Sequence, residues 1–355
     1  MKAPANHFAL EHGIMVWKRT LILLIMAAAM TACSSAPSMT AADVEEAIAD
    51  NRFYDARSGL LAWREYEGAS PDNSLKLAQV MLDLGDGYTA ERYLNELRDA
   101  EGESEQWTSM RAHSLILQGQ AWRARELLDE FEDALPENGD HAWLRVWAAM
   151  EEAQVDEAEA LLANSLELYP QSARLHAKAA RLAVWKGDWD TADQHVGEAL
   201  RIDPDEYEAM LIGGEVKIAR GDLEGALQAY QAAGEAYPDY AVPQANIAGL
   251  LLDLGRTDAA EPVLEKALQT YPDFALLRFN AARLHGLKGR WSSAREILLA
   301  LPADWKRSFP AATLLEGEAE AALGNHAMAM TLYRSAAGDP RFEQQAVELM
   351  AMLPG

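Results

Sequence analysis

Apolar residues recur along this chain in stripes spaced three and four positions apart, each stripe broken from the next by a short polar turn. Leu175, Ala179, Ala180 and Leu182 make one stripe, and after Gly187 the residues Ala192, Val196 and Ala199 make the next. This spacing predicts two amphipathic helices joined by a tight turn. The pair then repeats every 34 residues. Alanine stands at Ala56, Ala90, Ala124, Ala158, Ala192, Ala226, Ala260 and Ala294, and again at Ala329 after one extra residue. Four positions beyond each comes a large apolar residue: Leu60, Leu94, Leu128, Leu162, Val196, Tyr230, Leu264, Leu298 and Tyr333. Five positions before it stands Gly85, Gly119, Gly187, Gly221, Gly255, Gly289 or Gly324, replaced in two units by Asn51 and Ala153. Pro136, Pro170, Pro204, Pro238 and Pro272 close five consecutive units.

Each of these positions has a physical role. Glycine supplies the left-handed backbone that ends the first helix, and Asp188 or Asp222 directly after it is placed to cap the second. Alanine lets the two helix axes approach, and the large residue one turn later fills the space beside it. Proline stops the second helix because it has no N–H to continue the ladder. One hairpin cannot bury its own apolar face, so the units are expected to stack. Length alone suggests two domains, but the repeat overrides that count.

These residues resemble the tetratricopeptide repeat, whose pattern has small residues at positions 8, 20 and 27, glycine near 15 and proline at 32. Residues 173–206 carry it almost whole, as Ala180, Gly187, Ala192, Ala199 and Pro204. About nine units across residues 37–343 are counted, starting near 37, 71, 105, 139, 173, 207, 241, 275 and 310. The first is degenerate, with Asn51 for glycine and Trp63 for a small residue. The eighth departs after Leu301, where Pro302 to Phe309 is expected as a longer turn. An amphipathic stretch from Phe342 to Leu353, within residues 340–355, is expected to cap the last apolar face. The resemblance implies an all-α fold, a right-handed superhelical solenoid of antiparallel helix pairs with a C-terminal capping helix.

The N-terminus breaks the pattern. Lys18 and Arg19 precede the apolar run Leu21 to Met30, followed by Thr31, Ala32, Cys33 and polar Ser34, Ser35 and Pro37. Basic, apolar and small residues in that order read as a secretory signal over residues 1–32, and the run is too short for a membrane-spanning helix. Met30-Thr31-Ala32-Cys33 resembles the lipobox of bacterial lipoproteins, with methionine for the commoner leucine. The resemblance implies cleavage between Ala32 and Cys33, lipidation of the Cys33 thiol and acylation of the new amino terminus, with residues 33–36 as a lipidated linker. Each acyl chain contributes roughly 0.8 kcal/mol per buried methylene, so several chains anchor stably where one is marginal. By the sorting rule of this class, Ser34 fits export to the outer membrane, with the domain facing the periplasm. An ordinary signal peptide with an incidental cysteine is the alternative, and either Met1 or Met15 fits as the start.

Charge and chemistry narrow the function further. Lys and Arg total 31 against 56 Asp and Glu, a formal charge of −25, and no basic run appears, so nucleic acid is a poor partner. A single cysteine excludes an intramolecular disulfide and any multi-cysteine metal site. The eight histidines form no i, i+4 pair, and HExxH, GxSxG, Walker and Rossmann motifs are missing, so no enzyme activity, metal or cofactor is expected.

In tetratricopeptide domains the first helix of each unit lines the concave wall, chiefly through positions 2, 5, 6, 9 and 12. Here those positions include His113, Trp143, Trp147, Arg174, Lys178, Arg181, Asn246, Phe279, Asn280 and Arg283. The resemblance implies that Asn246 and Asn280 grip a bound peptide's backbone. The basic cluster Arg174, Lys178, Arg181 is expected to receive an acidic or C-terminal peptide, unless these residues pair with neighbours such as Glu208 or Glu215. The expected function is a lipid-anchored scaffold or adaptor binding a protein or peptide of the cell envelope, in assembly, secretion, pilus or polysaccharide-export roles. The alternative is a peptidoglycan or glycan binder using Trp143 and Trp147 as stacking platforms.

Overall fold

A computed structural model describes residues 36–130 and 139–354. The expected signal segment, Cys33 and Pro136 lie outside the described residues. Helices α1 (Ala41–Ala49) and α2 (Phe53–Glu67) form the first pair, α3 (Pro71–Asp83) and α4 (Gly87–Glu101) the second, and α5 (Glu105–Leu117) and α6 (Ala121–Glu130) the third. The fourth to sixth pairs are α7 (Gly139–Glu151) with α8 (Val155–Leu168), α9 (Ala173–Lys186) with α10 (Trp189–Ile202), and α11 (Tyr207–Ala219) with α12 (Leu223–Ala236). Then come α13 (Ala241–Asp253) with α14 (Thr257–Thr270), and α15 (Ala275–Leu287) with α16 (Trp291–Leu299). A short α17 (Ala303–Ser308) precedes the ninth pair, α18 (Pro310–Ala322) and α19 (His326–Ala336), and α20 (Glu343–Met352) follows.

The periodic residues do the work their chemistry suits. All nine repeated alanines have no exposed surface, and the large residue one turn later is buried in every unit. Between paired helices the seven glycines take φ between 71° and 84°, the left-handed region. Asn51 and Ala153 occupy the same turn position at φ 55°. At Gly187 the turn closes through Gly187 N to Val184 O at 3.0 Å and Asp188 N to Ala183 O at 2.9 Å. The Asp188 carboxylate then accepts from Thr191 N at 3.1 Å, capping α10. Second helices end at Leu168, Ile202, Ala236 and Thr270, each two residues before a proline.

Substantial helix–helix packing runs within pairs or between adjacent pairs, as expected of a one-dimensional array. The segment after Leu301 differs from the expected turn. Pro302, at φ −56°, opens the six-residue α17, whose Trp305 packs with Phe309 and Phe279 at ring separations of 4.7 and 6.2 Å. That aromatic contact holds the extra residues in a helix instead of an open loop. At the far end α20 buries Ala346 against Leu314, Tyr333 and Ala336, so the last pair has a cover. Among the described residues no helix is long and apolar enough to cross a membrane.

Candidate functional site

The first helices of successive pairs line one curved wall, and the curve closes on itself. The loop between α12 and α13 reaches the first pair: Asn51 Nδ2 donates to Ala236 O at 3.1 Å, and Tyr54 N to Asp239 Oδ2 at 2.7 Å. Tyr240 donates its hydroxyl to Asp83 O at 2.5 Å and stacks on Phe53 at 5.9 Å. Units one to six thereby ring a chamber of about 770 Å³ that stays partly open to solvent. A linear stack touches only its neighbours, so this contact of the sixth pair with the first two is a separate feature of the fold.

The chamber's wall brings together the first half of the expected groove residues. Trp143 and Trp147 on α7 lie 5.1 Å apart, and the His113 ring meets them edge-on at 5.5 and 5.1 Å. On α9, one turn per residue, Arg174 lies over Trp143 at 4.9 Å and Lys178 over Trp147 at 4.7 Å. None of the three cations of this cluster is free. Lys178, 6% exposed, pairs with Glu208 at 2.8 Å; Arg181 meets both oxygens of Glu215 at 3.0 and 2.7 Å; and Arg174 pairs with Asp140 at 3.2 Å. The cluster is basic in sequence and largely neutralised in space.

Several chamber residues lie outside the first-helix positions expected to line the wall. Tyr207, Tyr237 and Tyr240 form a ring cluster with separations of 4.6 to 5.2 Å, contributed by loops and a helix start. Asp83 and Glu206 are half-buried carboxylates whose open side is the chamber. Burial raises Asp83 to about 6 against the pull of Gln79, whose amide donates to both its oxygens, and of the Arg174 charge. Burial likewise raises Glu206 to about 7, with the Glu208 charge adding and the bond from Ala209 N opposing. His113 moves the other way, to about 3, because burial and the charges of Arg174 and Lys178 all oppose a proton there. Its ring is therefore neutral at physiological pH.

The other expected groove residues lie apart, toward the C-terminal end. Phe279 and Arg283 line a second cleft of about 480 Å³ with Leu287, Phe309, Leu315 and Glu318. Arg283 pairs there with Asp253. Asn280 is only 2% exposed, and its amide donates to Ala245 O at 2.8 Å, so it braces α13 against α15 and is not presented to a peptide. Asn246 is half-buried on α13. Neither cleft nor chamber assembles a cluster of metal-ligating residues among the described residues.

The tetratricopeptide-repeat family model matches residues 149–213, 217–265 and 251–316. Residues 149–316 carry tetratricopeptide repeats, and the described residues fold as a tetratricopeptide-repeat solenoid. Among solved structures, the APC/C hetero-tetramer Cut9–Hcn1 aligns over 84% of this chain at 13% identity and a TM-score of 0.65. The alignment covers 60% of that longer chain. The human IFIT1 dimer with m7Gppp-AAAA aligns over 84% of this chain and 80% of its own, at 15% identity and a TM-score of 0.53. Identities this low establish the shared fold alone. No curated protein sequence matches the chain.

Proposed function

We propose that this tetratricopeptide solenoid is a non-catalytic scaffold of the bacterial cell envelope, held to the outer membrane by lipid on Cys33 and binding a protein partner in the periplasm. The observation that carries the reading is the pairing of two features in one chain. A basic, apolar and small N-terminal segment ends at the sole cysteine, and among the described residues nine helix pairs follow it. Lipidation at Cys33 restricts the array to a membrane surface and so raises the local concentration of any partner sharing that membrane. A glycan-binding reading would rest on Trp143 and Trp147. Their faces already carry Arg174 and Lys178, which leaves the protein-binding reading in front.

In-cell crosslinking followed by capture through the C-terminus names the partner, and envelope proteins are the expected catch. Fractionation tests the tether. Wild-type chain should float with outer membrane and incorporate labelled palmitate, while Cys33→Ala should do neither. Palmitate label on the Cys33→Ala chain overturns the anchor. Co-sedimentation with purified murein, in the absence of protein capture, favours the glycan reading instead.

A further inference from the structure

We infer that the contact of the sixth unit with the first two is a latch governing access to the chamber, and that it opens without unfolding any unit. Every substantial helix–helix packing joins neighbours, so the helix pairs are held chiefly by contacts that do not cross the ring. The latch itself is small, made of three hydrogen bonds, the Phe53–Tyr240 ring stack and the packing of Tyr237 and Tyr240 on the first units' apolar cluster. Its parts come from turns and from the end residues of helices, which move at lower cost than helix centres.

The latch also accounts for an exception in the repeat. Seven units have glycine at the turn, yet the first has Asn51. Asparagine tolerates the required φ of 55° better than most side chains, and here its amide reaches across to Ala236 O. The residue gives up some backbone ease and gains a bond that glycine cannot make. On the other side, Tyr240 combines the hydroxyl bond to Asp83 with packing against the first units' apolar cluster.

Shut, the latch leaves an aromatic-walled, partly open chamber of about 770 Å³ that only the end of a chain can thread. Open, it turns the wall of α3, α5, α7, α9 and α11 into a groove that an extended peptide can enter from the side. That second step rests on the protein-binding reading above; the latch does not.

The test uses the full chain carrying Cys33→Ser, so that only introduced thiols react. His113→Cys places a thiol on the chamber wall, and its rate of reaction with dithionitrobenzoate reports access. Asn51→Gly restores the residue the other units use, and Tyr240→Phe keeps the ring, so both variants retain the packing of the units. Each is expected to raise the reaction rate at least tenfold with unchanged helical circular dichroism. In parallel, spin labels at the exposed positions Ser58→Cys and Glu235→Cys should give one short distance in the parent and a second, longer population in either variant. Unchanged rates and distances in both variants overturn the latch. Thiol access failing to change tells nothing against partner capture by crosslinking, so the two proposals fail separately.

Discussion

Gly214 on α11 lies against the ring of Tyr230 on α12, so closely that a Cβ at Gly214 would overlap the ring. Gly317 and Tyr333 repeat the arrangement in the ninth unit. In the other seven units the same two positions hold alanine or valine opposite leucine or valine, for instance Ala180 with Val196 and Ala248 with Leu264. Glycine thus appears at this helix position in the two units where the facing residue is tyrosine. The pair exchanges volume across the crossing so that the helices keep one spacing.

Gly214→Ala should therefore destabilise the chain, against the usual trend. Alanine in a helix interior normally gains about 1 kcal/mol over glycine. Overpacking costs about 1–3 kcal/mol, and here it should win by up to about 2 kcal/mol. In a Tyr230→Leu background the sign should reverse, with Gly214→Ala stabilising. Urea denaturation of the four chains of this cycle checks it, and additive effects would show that the two residues do not couple.

The Lys178–Glu208 pair makes a second asymmetric prediction. Lys178 is almost fully buried, and at 2.8 Å Glu208 is its counter-ion, while Glu208 also has Arg181 at 3.6 Å. Glu208→Ala strands a buried ammonium and should cost about 2–3 kcal/mol. Lys178→Met leaves Glu208 with Arg181 and refills the stem's volume, so its cost should stay below about 1 kcal/mol. Equal losses in thermal unfolding would contradict this picture of the pair.

Acid–base behaviour should show two opposed trends from the chamber. Glu206 is raised from 4.5 to about 7 in the fold, so between those values the native state holds a proton that the unfolded chain has lost. Its contribution to stability is present at low pH and is lost as pH rises toward 7. His113 is lowered from 6.5 to about 3, so its contribution is present above 6.5 and is lost as pH falls. Glu206→Gln keeps an acceptor for Ala209 N and should be more stable than the parent at pH 8 by about 1 kcal/mol, the gap closing toward pH 4.5. His113→Gln should flatten the loss on acidification. Chemical denaturation at pH 4.5, 6 and 8 separates the two residues.

Ala153 offers the simplest gain. It occupies the left-handed turn position at φ 55°, where most other units have glycine. A Cβ there costs roughly 1–2 kcal/mol. Ala153→Gly should recover up to about 1 kcal/mol after the greater freedom of glycine in the unfolded chain is subtracted. A midpoint unchanged or lowered in urea would mean that the turn relaxes around alanine at no cost.

The sequence by itself determined what is local: helix pairs every 34 residues, alanine at each crossing and a left-handed turn between helices. Those features depend on neighbours four, five or 34 positions away, and each leaves a side-chain signature. The ring closure was decided only by the tertiary structure. Small rotations between units add up over five steps, and no single residue encodes their sum. Two of the latch bonds also end on the backbone carbonyls of Ala236 and Asp83, which every residue possesses, so the partners carry no mark in the sequence. The same limit governs the basic cluster: Arg174, Lys178 and Arg181 are plain in the sequence, but Asp140, Glu208 and Glu215 neutralise them only once stacking brings adjacent units together.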